Sequence, residues 1–598
     1  MNCPLCDRPS TEIISTKRRS FYSCSLCGFV WADPALYLSR DEEEKRYSLH
    51  ENSRENAGYV RFLSEILDQG LQYWYSKRRP QVYHQEGALG DTKTAPLVLD
   101  WGAGPNPLAS ELLQERGCTV YSYDPLFGSP LPLEDPRFDI IFCIEVAEHF
   151  KDPLKDFSAM ARYLKNGGLL IIHTHKIPCE VFAGEAGSLK DFFAPWWYKE
   201  DPTHVSFYSD QSLEVLALCS GLHFIQGENL HFFTKPQPVL VAGGANVDIE
   251  GRPYGPLRDR DSNPGRVRFS RGGAGRNMAE NLARLNIPVQ FIGVFGRDPL
   301  SRMLFEETKE TGVHLDGVLH VESDSPSCYV SILDDLGDMR LALSSMDSIS
   351  LLNPEAIRAC LEKFSSVSGP EDPLFSALIA DGNLLPETID ALLAALPHVP
   401  AWFDPVSTAK ARRFAAYQNG GLIGRFYGLK PNADELLAMA ETLGYSFASH
   451  LNTVYQNFIE HAFFKGFKNL DQHGLKKILQ AALFLLEKGC RELHVSVGVD
   501  GVFLVTKDRV IWGKPPIIPM KSATGAGDSY LAAVVRTDLL SNWSEDPHYR
   551  IASGCAASAI TLEDEEAVSR NMSPAALYRL INEWKEKGQF TVVASDDH

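Results

Sequence analysis

Apolar and polar residues alternate with different periods along the chain, and the changes of period divide it. Between residues 36 and 88 the sequence is polar and permissive of helix. Tyr59, Phe62, Leu63, Ile66, Leu67 and Leu71 recur at helical spacing, which predicts an amphipathic connector packed on the next domain. HQEGALGDTKTAP then predicts a loop. From residue 97 short apolar runs alternate with helical stretches. LVLDWGAGPNP predicts a strand and a glycine-rich turn, LASELLQERG a helix, and TVYSYDP a strand. RFDIIFCIEVAEH predicts a strand and turn, LKDFSAMARYL a helix, NGG a turn, and LLIIHTH a strand. Strands alternating with helices imply an α/β fold with a parallel sheet covered on both faces. TKPQP, residues 234–238, breaks this pattern with two prolines. A second βα alternation starts at 239 and runs to about 585. Inside it, SCYVSILDDLGDMRLAL alternates, turns at DLGD and alternates again, which predicts a β-hairpin. The end of the chain, TVVASDDH, reads as a short tail.

Composition narrows the class. The 598 residues are 44% hydrophobic and 23% charged, ordinary for a globular chain of more than one domain. The net charge of −19 opposes an extended phosphate backbone as the main partner. No apolar stretch reaches the ~18 residues a membrane span requires, so no membrane contact is expected. The start, MNCPLCDRPS, lacks a basic region followed by an apolar one, and the cytoplasm is the expected location.

Four of the twelve cysteines fall in the first 27 residues as Cys3, Cys6, Cys24 and Cys27. Each C-x2-C places two thiolates on one tight turn, and two such turns complete a tetrahedral Zn²⁺ site. Four thiolates leave no open position, so the expected zinc is structural, in a zinc ribbon spanning 1–35. The eight scattered cysteines are expected to be small buried hydrophobes.

Two further constellations carry chemistry. After the strand that ends at Asp100, Gly102 and Gly104 allow close approach of a ligand to the backbone. Asp124 ends the next strand, where a carboxylate can hold ribose hydroxyls. Position 107 is Pro, so the third glycine of a dinucleotide fingerprint is missing. In the second half, GGANVD places Asn246 and Asp248 just past a strand, and GGAGRN opens a helix whose apolar face is Met278, Leu282 and Leu285. Much later, TGAGD opens an apolar helix. Successive N–H groups at such a start form an anion cradle, and Asp528 sits beside it. A carboxylate there has one useful task, taking a proton from an attacking hydroxyl.

The run DWGAGP from Asp100, with Asp124, FDIIFCIEVAEHF and LKNGGLLII, resembles class I S-adenosylmethionine-dependent methyltransferases over roughly residues 97–235. With the ribbon in front it is similar to small-molecule methyltransferases that carry one. The resemblance implies a Rossmann-like domain over 36–235, including the helical connector. Asp100, Gly102 and Gly104 would border the methionine part of S-adenosylmethionine. Asp124 would hold its ribose, and Ile144 and Glu145 would lie beside it. PTHVSFYS, residues 202–209, resembles a stretch near the methyl acceptor. His204 within it is the candidate base, ahead of His173 and His175.

GGANVDI, SNPG, GGAGRNMAENLARL, ADGNL, DPVSTAK, KPNADEL, VSVGVDGVFLV and TGAGD together resemble the PfkB (ribokinase-like) kinases. The resemblance covers 239–590 and is nearest to the pseudouridine-phosphorylating members. It implies an α/β domain with a small β lid, and ATP- and Mg²⁺-dependent phosphorylation of the 5′-hydroxyl of free pseudouridine. Asn246, Asp248, Gly273 and Asn277 would hold the ribose, and Asp528 would be the base. The backbone of Gly525, Ala526 and Gly527 would form the anion hole. Asn432 and Glu435 would organise Mg²⁺, and Gly498 and Gly501 would edge the ATP site. Asn263, with Ser262 and Lys410, would contact base or sugar, and the 328–343 hairpin would belong to the lid. A homodimer through that lid is a further expectation. Ser522 stands where many sugar kinases have Asp, which leaves a monovalent cation open. A second reading makes the segment before 236 a cofactor-binding or regulatory module beside a kinase for another nucleoside or sugar.

Overall fold

The computed structural model describes residues 1–10, 12–15, 19–48, 52–78, 95–127, 131, 137–183, 188–227, 230–322, 327–336, 338–365, 374–446, 451, 453–463, 466–540 and 546–595. Most of the predicted 84–96 loop lies outside them. The chain forms two compact units, in the main Met1–Pro236 and Gln237–His598. Among the described residues no helix is long and apolar enough to cross a membrane.

In the first unit a six-stranded sheet runs in the order Thr119–Tyr123, Leu97–Trp101, Phe138–Ile144, Leu164–His173, His231–Thr234, His223–Ile225. The first four strands are parallel and the last two antiparallel. The helix Ala57–Arg78 lays Leu63, Ile66, Leu67 and Leu71 into one core with Val98, Leu112, Ile140 and Ile171, as its spacing required. The NGG turn is absorbed into a strand, with Gly167 at a φ of 74°. Residues 164–173 stay one strand, and the register jumps from Phe138↔Leu164 to Ile140↔Leu169. The reason is a second partner: Gly167 N–H donates to the Lys235 carbonyl, and Lys235 N–H to that of Gly168. These bonds carry the extra residues as a bulge.

The cysteine-bearing segment is no separate bead. Its strands Glu12–Ser15, Ser20–Ser23 and Val30–Ala32 continue into a fourth, Ser206–Phe207, from the far end of the unit. Phe21, Val30 and Ala32 share a core with Ile177, Phe193, Tyr198 and Phe207.

In the second unit nine strands form one sheet, ordered Val289–Ile292, Val239–Ala242, Ala377–Asp381, Ala401–Asp404, Gly428–Leu429, Glu492–Ser496, Val502–Val505, Val510–Lys514, Thr591–Ala594. The first six are parallel. The expected tail is corrected here: Thr591–Ala594 pairs antiparallel with Val510–Lys514 and buries Val593 and Ala594. Its apolar run is too short to show alternation, and only the open sheet edge makes it a strand.

A second, four-stranded sheet is ordered Gly265–Gly272, Asn246–Pro253, Cys328–Leu333, Met339–Ser345. The last two strands are the predicted hairpin. The register aligns Phe269, Ile249, Val330 and Leu343 across the strands, and Val267, Gly251, Ile332 and Leu341 beside them. Side chains alternate between faces, so this face is apolar while Asp248 lies on the other. Val267, Phe269, Leu341 and Leu343 are more than half exposed.

Candidate functional sites

The C-terminal ends of parallel strands gather the polar groups of both units, where open α/β sheets bind ligands. In the first unit Asp100 lies buried one residue before the end of its strand, accepting a hydrogen bond from Ser110 Oγ (2.7 Å). Burial pushes its pKa up to about 6. Asp124 accepts three backbone N–H bonds, from Gly104 (2.9 Å), Leu126 (2.8 Å) and Phe127 (3.1 Å). The glycine turn and the second strand end are thereby locked together. Glu145 holds a positive φ of 54°, uncommon without glycine, and its Oε1 lies 2.7 Å from His173 Nδ1. Gly102, Gly104, Asp124, Glu145 and His204 line one cavity of about 830 Å³. Glu148, His149 and His175 line it too; the first two fall in the FDIIFCIEVAEHF run, which assigned a place beside the cofactor only to Ile144 and Glu145. His204 Nδ1 lies 2.7 Å from the Tyr198 carbonyl. Burial and the neighbouring His149 lower the pKa of His204.

The cysteine-bearing segment holds the loop that carries His204. Arg19 donates to the carbonyls of Lys199 (2.9 Å), Asp201 (2.7 Å) and His204 (2.7 Å). With the Val30–Phe207 pairing, this fixes the loop that carries His204. The four thiols are buried, with Cys3–Cys27 and Cys6–Cys24 sulfurs 3.5 Å apart and Cys6–Cys27 3.9 Å. Tetrahedral Zn–S bonds of ~2.3 Å put sulfurs ~3.8 Å apart, so the donor set fits zinc.

In the second unit Asp381, Asp404 and Lys430 stand at or just past successive strand ends. Asp381 Oδ2 accepts from Gly244 N–H (2.9 Å) and Gly275 N–H (2.8 Å), one from each glycine-rich turn. It also holds Asn383, whose Oδ1 takes the ammonium of Lys410 at 2.5 Å. One carboxylate thus joins the two motifs the sequence had kept apart. Gly273 begins the helix Ala274–Arg284 at φ 97°, and a Cβ there would lie 2.4 Å from the Gly244 carbonyl.

Asn277 projects from this helix and donates from Nδ2 to Asp528 Oδ2 at 2.8 Å. Its amide cannot turn over, because the buried Arg276 guanidinium donates to its Oδ1. Asp528 lies in the first turn of Ala526–Leu540, whose leading N–H groups have no partner inside the helix. Burial and the Asp404 charge push its pKa up to about 7, against the Asn277 bond and Lys430. Lys430 Nζ donates to Asp404 Oδ2 at 3.0 Å. Burial opposes its charge, but Asp404 and Asp528 outweigh burial and raise its pKa. Gly525 is at φ 83°, and a Cβ there would lie 1.9 Å from the Ala567 carbonyl. Only glycine allows this approach.

Other expected residues are placed differently. Asn246 Nδ2 donates to Asp248 Oδ1 at 2.5 Å, and burial lifts Asp248 to about 6. Asn263 bonds the Arg258 N–H and carbonyl and the Asp261 carbonyl, so its amide closes the loop between lid strands. Ser262 is exposed on that loop. Asn432 and Glu435 form a capping box: Asn432 N–H donates to Glu435 Oε2, and Glu435 N–H to Asn432 Oδ1, each at 2.9 Å. Burial and Asp404 raise Glu435 to about 7. Gly498 and Gly501 bound a turn after the strand whose Ser496 bridges to Asn432. Asp381, Asp404 and Arg276 were missed as site residues. For the two aspartates the available signal was a carboxylate closing a buried apolar run, ALIAD and AWFD.

Comparison with known proteins agrees with this division. A family profile described as pfkB family carbohydrate kinase matches residues 237–571, and one described as methyltransferase domain matches 50–226. Pseudouridine kinase of Escherichia coli K12 is 28% identical over 330 residues, 54% of this chain and 91% of that protein. The uncharacterized methyltransferase YcgJ of Bacillus subtilis is 33% identical over 185 residues, 31% of this chain and 67% of that protein. The crystal structure of ribokinase from Thermotoga maritima matches with a TM-score of 0.43 and 19% identity, covering 58% of this chain and 99% of that one. With one family matched over more than half its length, the chain belongs to the pfkB family of carbohydrate kinases and carries a methyltransferase domain ahead of the kinase.

Proposed function

We propose that the second unit transfers the γ-phosphoryl group of ATP to the 5′-hydroxyl of pseudouridine, and that the first transfers a methyl group from S-adenosylmethionine to a small molecule. The observation that carries the kinase reading is the Asn277–Asp528 bond at the start of the 526–540 helix. It aims a carboxylate of pKa about 7 at the place where a phosphoryl group meets the helix N-terminus. Asp528 takes the proton of the attacking hydroxyl, and the N–H groups of Gly525, Ala526 and Gly527 face the charge that develops. Asn246 and Asp248 hold the ribose from the lid sheet. Asn432 and Glu435 fit Mg²⁺ organised through water, since their direct bonds serve each other. The relatives named pseudouridine kinase support the base over a plain sugar.

In the first unit Asp124 and the Gly102–Gly104 turn fit the cofactor's ribose and methionine parts, and the ribbon is a structural zinc site that holds the acceptor loop. The exposed apolar face of the lid sheet supports pairing of two lids in a homodimer. The test of substrate is a panel of pseudouridine, uridine, cytidine, adenosine and ribose with ATP. Turnover highest on pseudouridine supports the proposal, and equal turnover on ribose overturns the substrate. Calorimetry with S-adenosylmethionine tests the first unit, where absence of binding overturns the methyl-transfer reading.

A further inference from the structure

We propose that Glu148, His149 and His204 form a second metal site, which holds a divalent first-row cation and presents it to the methyl acceptor. One ligand atom from each of the three lies within 4.8 Å of the others. Their remaining polar atoms are already committed. His149 Nδ1 lies 3.0 Å from the Thr203 carbonyl and His204 Nδ1 2.7 Å from the Tyr198 carbonyl. A carbonyl only accepts, so each Nδ1 carries the proton and each Nε2 carries a lone pair. Glu148 Oε2 accepts from Thr174 Oγ1 at 2.9 Å. Its Oε1 is buried, 4.0 Å from His149 Nε2, and without a hydrogen-bond partner among the described residues. A buried carboxylate oxygen without a donor is costly. A cation held between it and the two imidazole Nε2 atoms supplies the positive charge that this oxygen lacks.

The surroundings match what a metal site needs. Each ligand is oriented by a bond at its far atom, as metal-bound histidines and carboxylates are. Two histidines and one carboxylate leave positions open, the pattern of a catalytic rather than a structural site. All three residues line the cavity shared with Gly102, Gly104 and Asp124. Ligand edges around such a cation are ~3–3.5 Å, so the side chains close by ~1 Å on binding. The ribbon contributes through Arg19, whose bond to the His204 carbonyl fixes one ligand.

The site favours an acceptor that offers an oxygen. This part rests on the methyl-transfer reading. A hydroxyl bound to the cation is acidified and gives its proton to solvent. Its oxygen attacks the methyl carbon of the sulfonium donor, and the carbon–sulfur bond breaks with its electron pair passing to sulfur. The products are a methyl ether and a neutral thioether. His204 then serves as a ligand and not as a base.

The probe is Mn²⁺ added without ATP to full-length protein already loaded with one equivalent of zinc, read by electron spin-echo envelope modulation. Imidazole ¹⁴N coupling from about one Mn²⁺ per chain is expected. In the His149→Ala/His204→Ala double variant, and in Glu148→Gln, Mn²⁺ affinity falls at least ~10-fold, and in the double variant the ¹⁴N coupling vanishes. Wild-type protein that shows no ¹⁴N coupling overturns the site whether or not the variants fold. Coupling that persists in the double variant overturns the assignment of ligands. Coupling together with absent S-adenosylmethionine binding leaves the metal site standing and overturns the methyl-transfer reading alone.

Discussion

The Asp528→Asn substitution tests the kinase chemistry at one atom. Asn277 donates to Asp528 Oδ2, and an amide oxygen can accept the same bond, so the side chain stays in place. Lys430 keeps its 3.0 Å bond to Asp404. Nucleoside binding should therefore change little, while the proton acceptor is lost. General-base catalysis contributes ~10²–10⁴-fold, equivalent to about 2.7–5.4 kcal/mol of barrier. The raised pKa also sets the wild-type pH profile. The active form is the carboxylate, so kcat/KM falls as pH drops through about 7, the value of Asp528. At roughly pH 8 nine-tenths of the groups are ionised and at roughly pH 6 one-tenth, so the rate drops nearly tenfold between them. The assay is coupled ADP release with saturating and limiting nucleoside, separating kcat from KM. A variant that keeps more than a tenth of wild-type kcat at pH 8 refutes Asp528 as base. An acid limb near pH 7 that persists in the variant refutes the pKa assignment.

Three other perturbations reach different parts of the chain. Gly525→Ala drives a Cβ to 1.9 Å from the Ala567 carbonyl at a positive φ. It should lower Tm and cut kcat by ~10²-fold through the displaced N–H groups, and wild-type kcat would refute the anion hole. Cys24→Ser should remove the zinc equivalent, measured by elemental analysis. Arg19 and the Val30–Phe207 pairing hold the loop that carries His204, so under the proposed function methyl transfer should fall at least ~10-fold while S-adenosylmethionine affinity moves by less than ~3-fold. Equal losses of both would refute the loop-holding role. Leu341→Glu/Leu343→Glu places charge on the apolar lid face and should give monomers in sedimentation velocity where wild type gives dimers. A wild-type chain that sediments as a monomer would refute lid pairing.

The sequence alone determined a good deal of this protein. Alternation and helical spacing placed most strands and helices, because one face of each element must be apolar to reach a core. Turn chemistry exposed the glycine-rich loops, and C-x2-C spacing exposed the four-cysteine cluster, because these depend on neighbours only a few residues away. Other features depend on partners the sequence does not order. The 164–173 strand survives its glycines only because Lys235 completes its ladder. Thr591–Ala594 is a strand only because Val510–Lys514 offers an open edge. Asp381 matters because two turns far apart in sequence send N–H groups to the same oxygen. Glu148 and His149 lie in the FDIIFCIEVAEHF run, whose pattern does not reveal a third ligand, and only the fold brings His204 opposite them. Local chemistry fixes what each segment can form, while long-range packing decides which unsatisfied polar atoms meet, and in this protein those meetings make the sites.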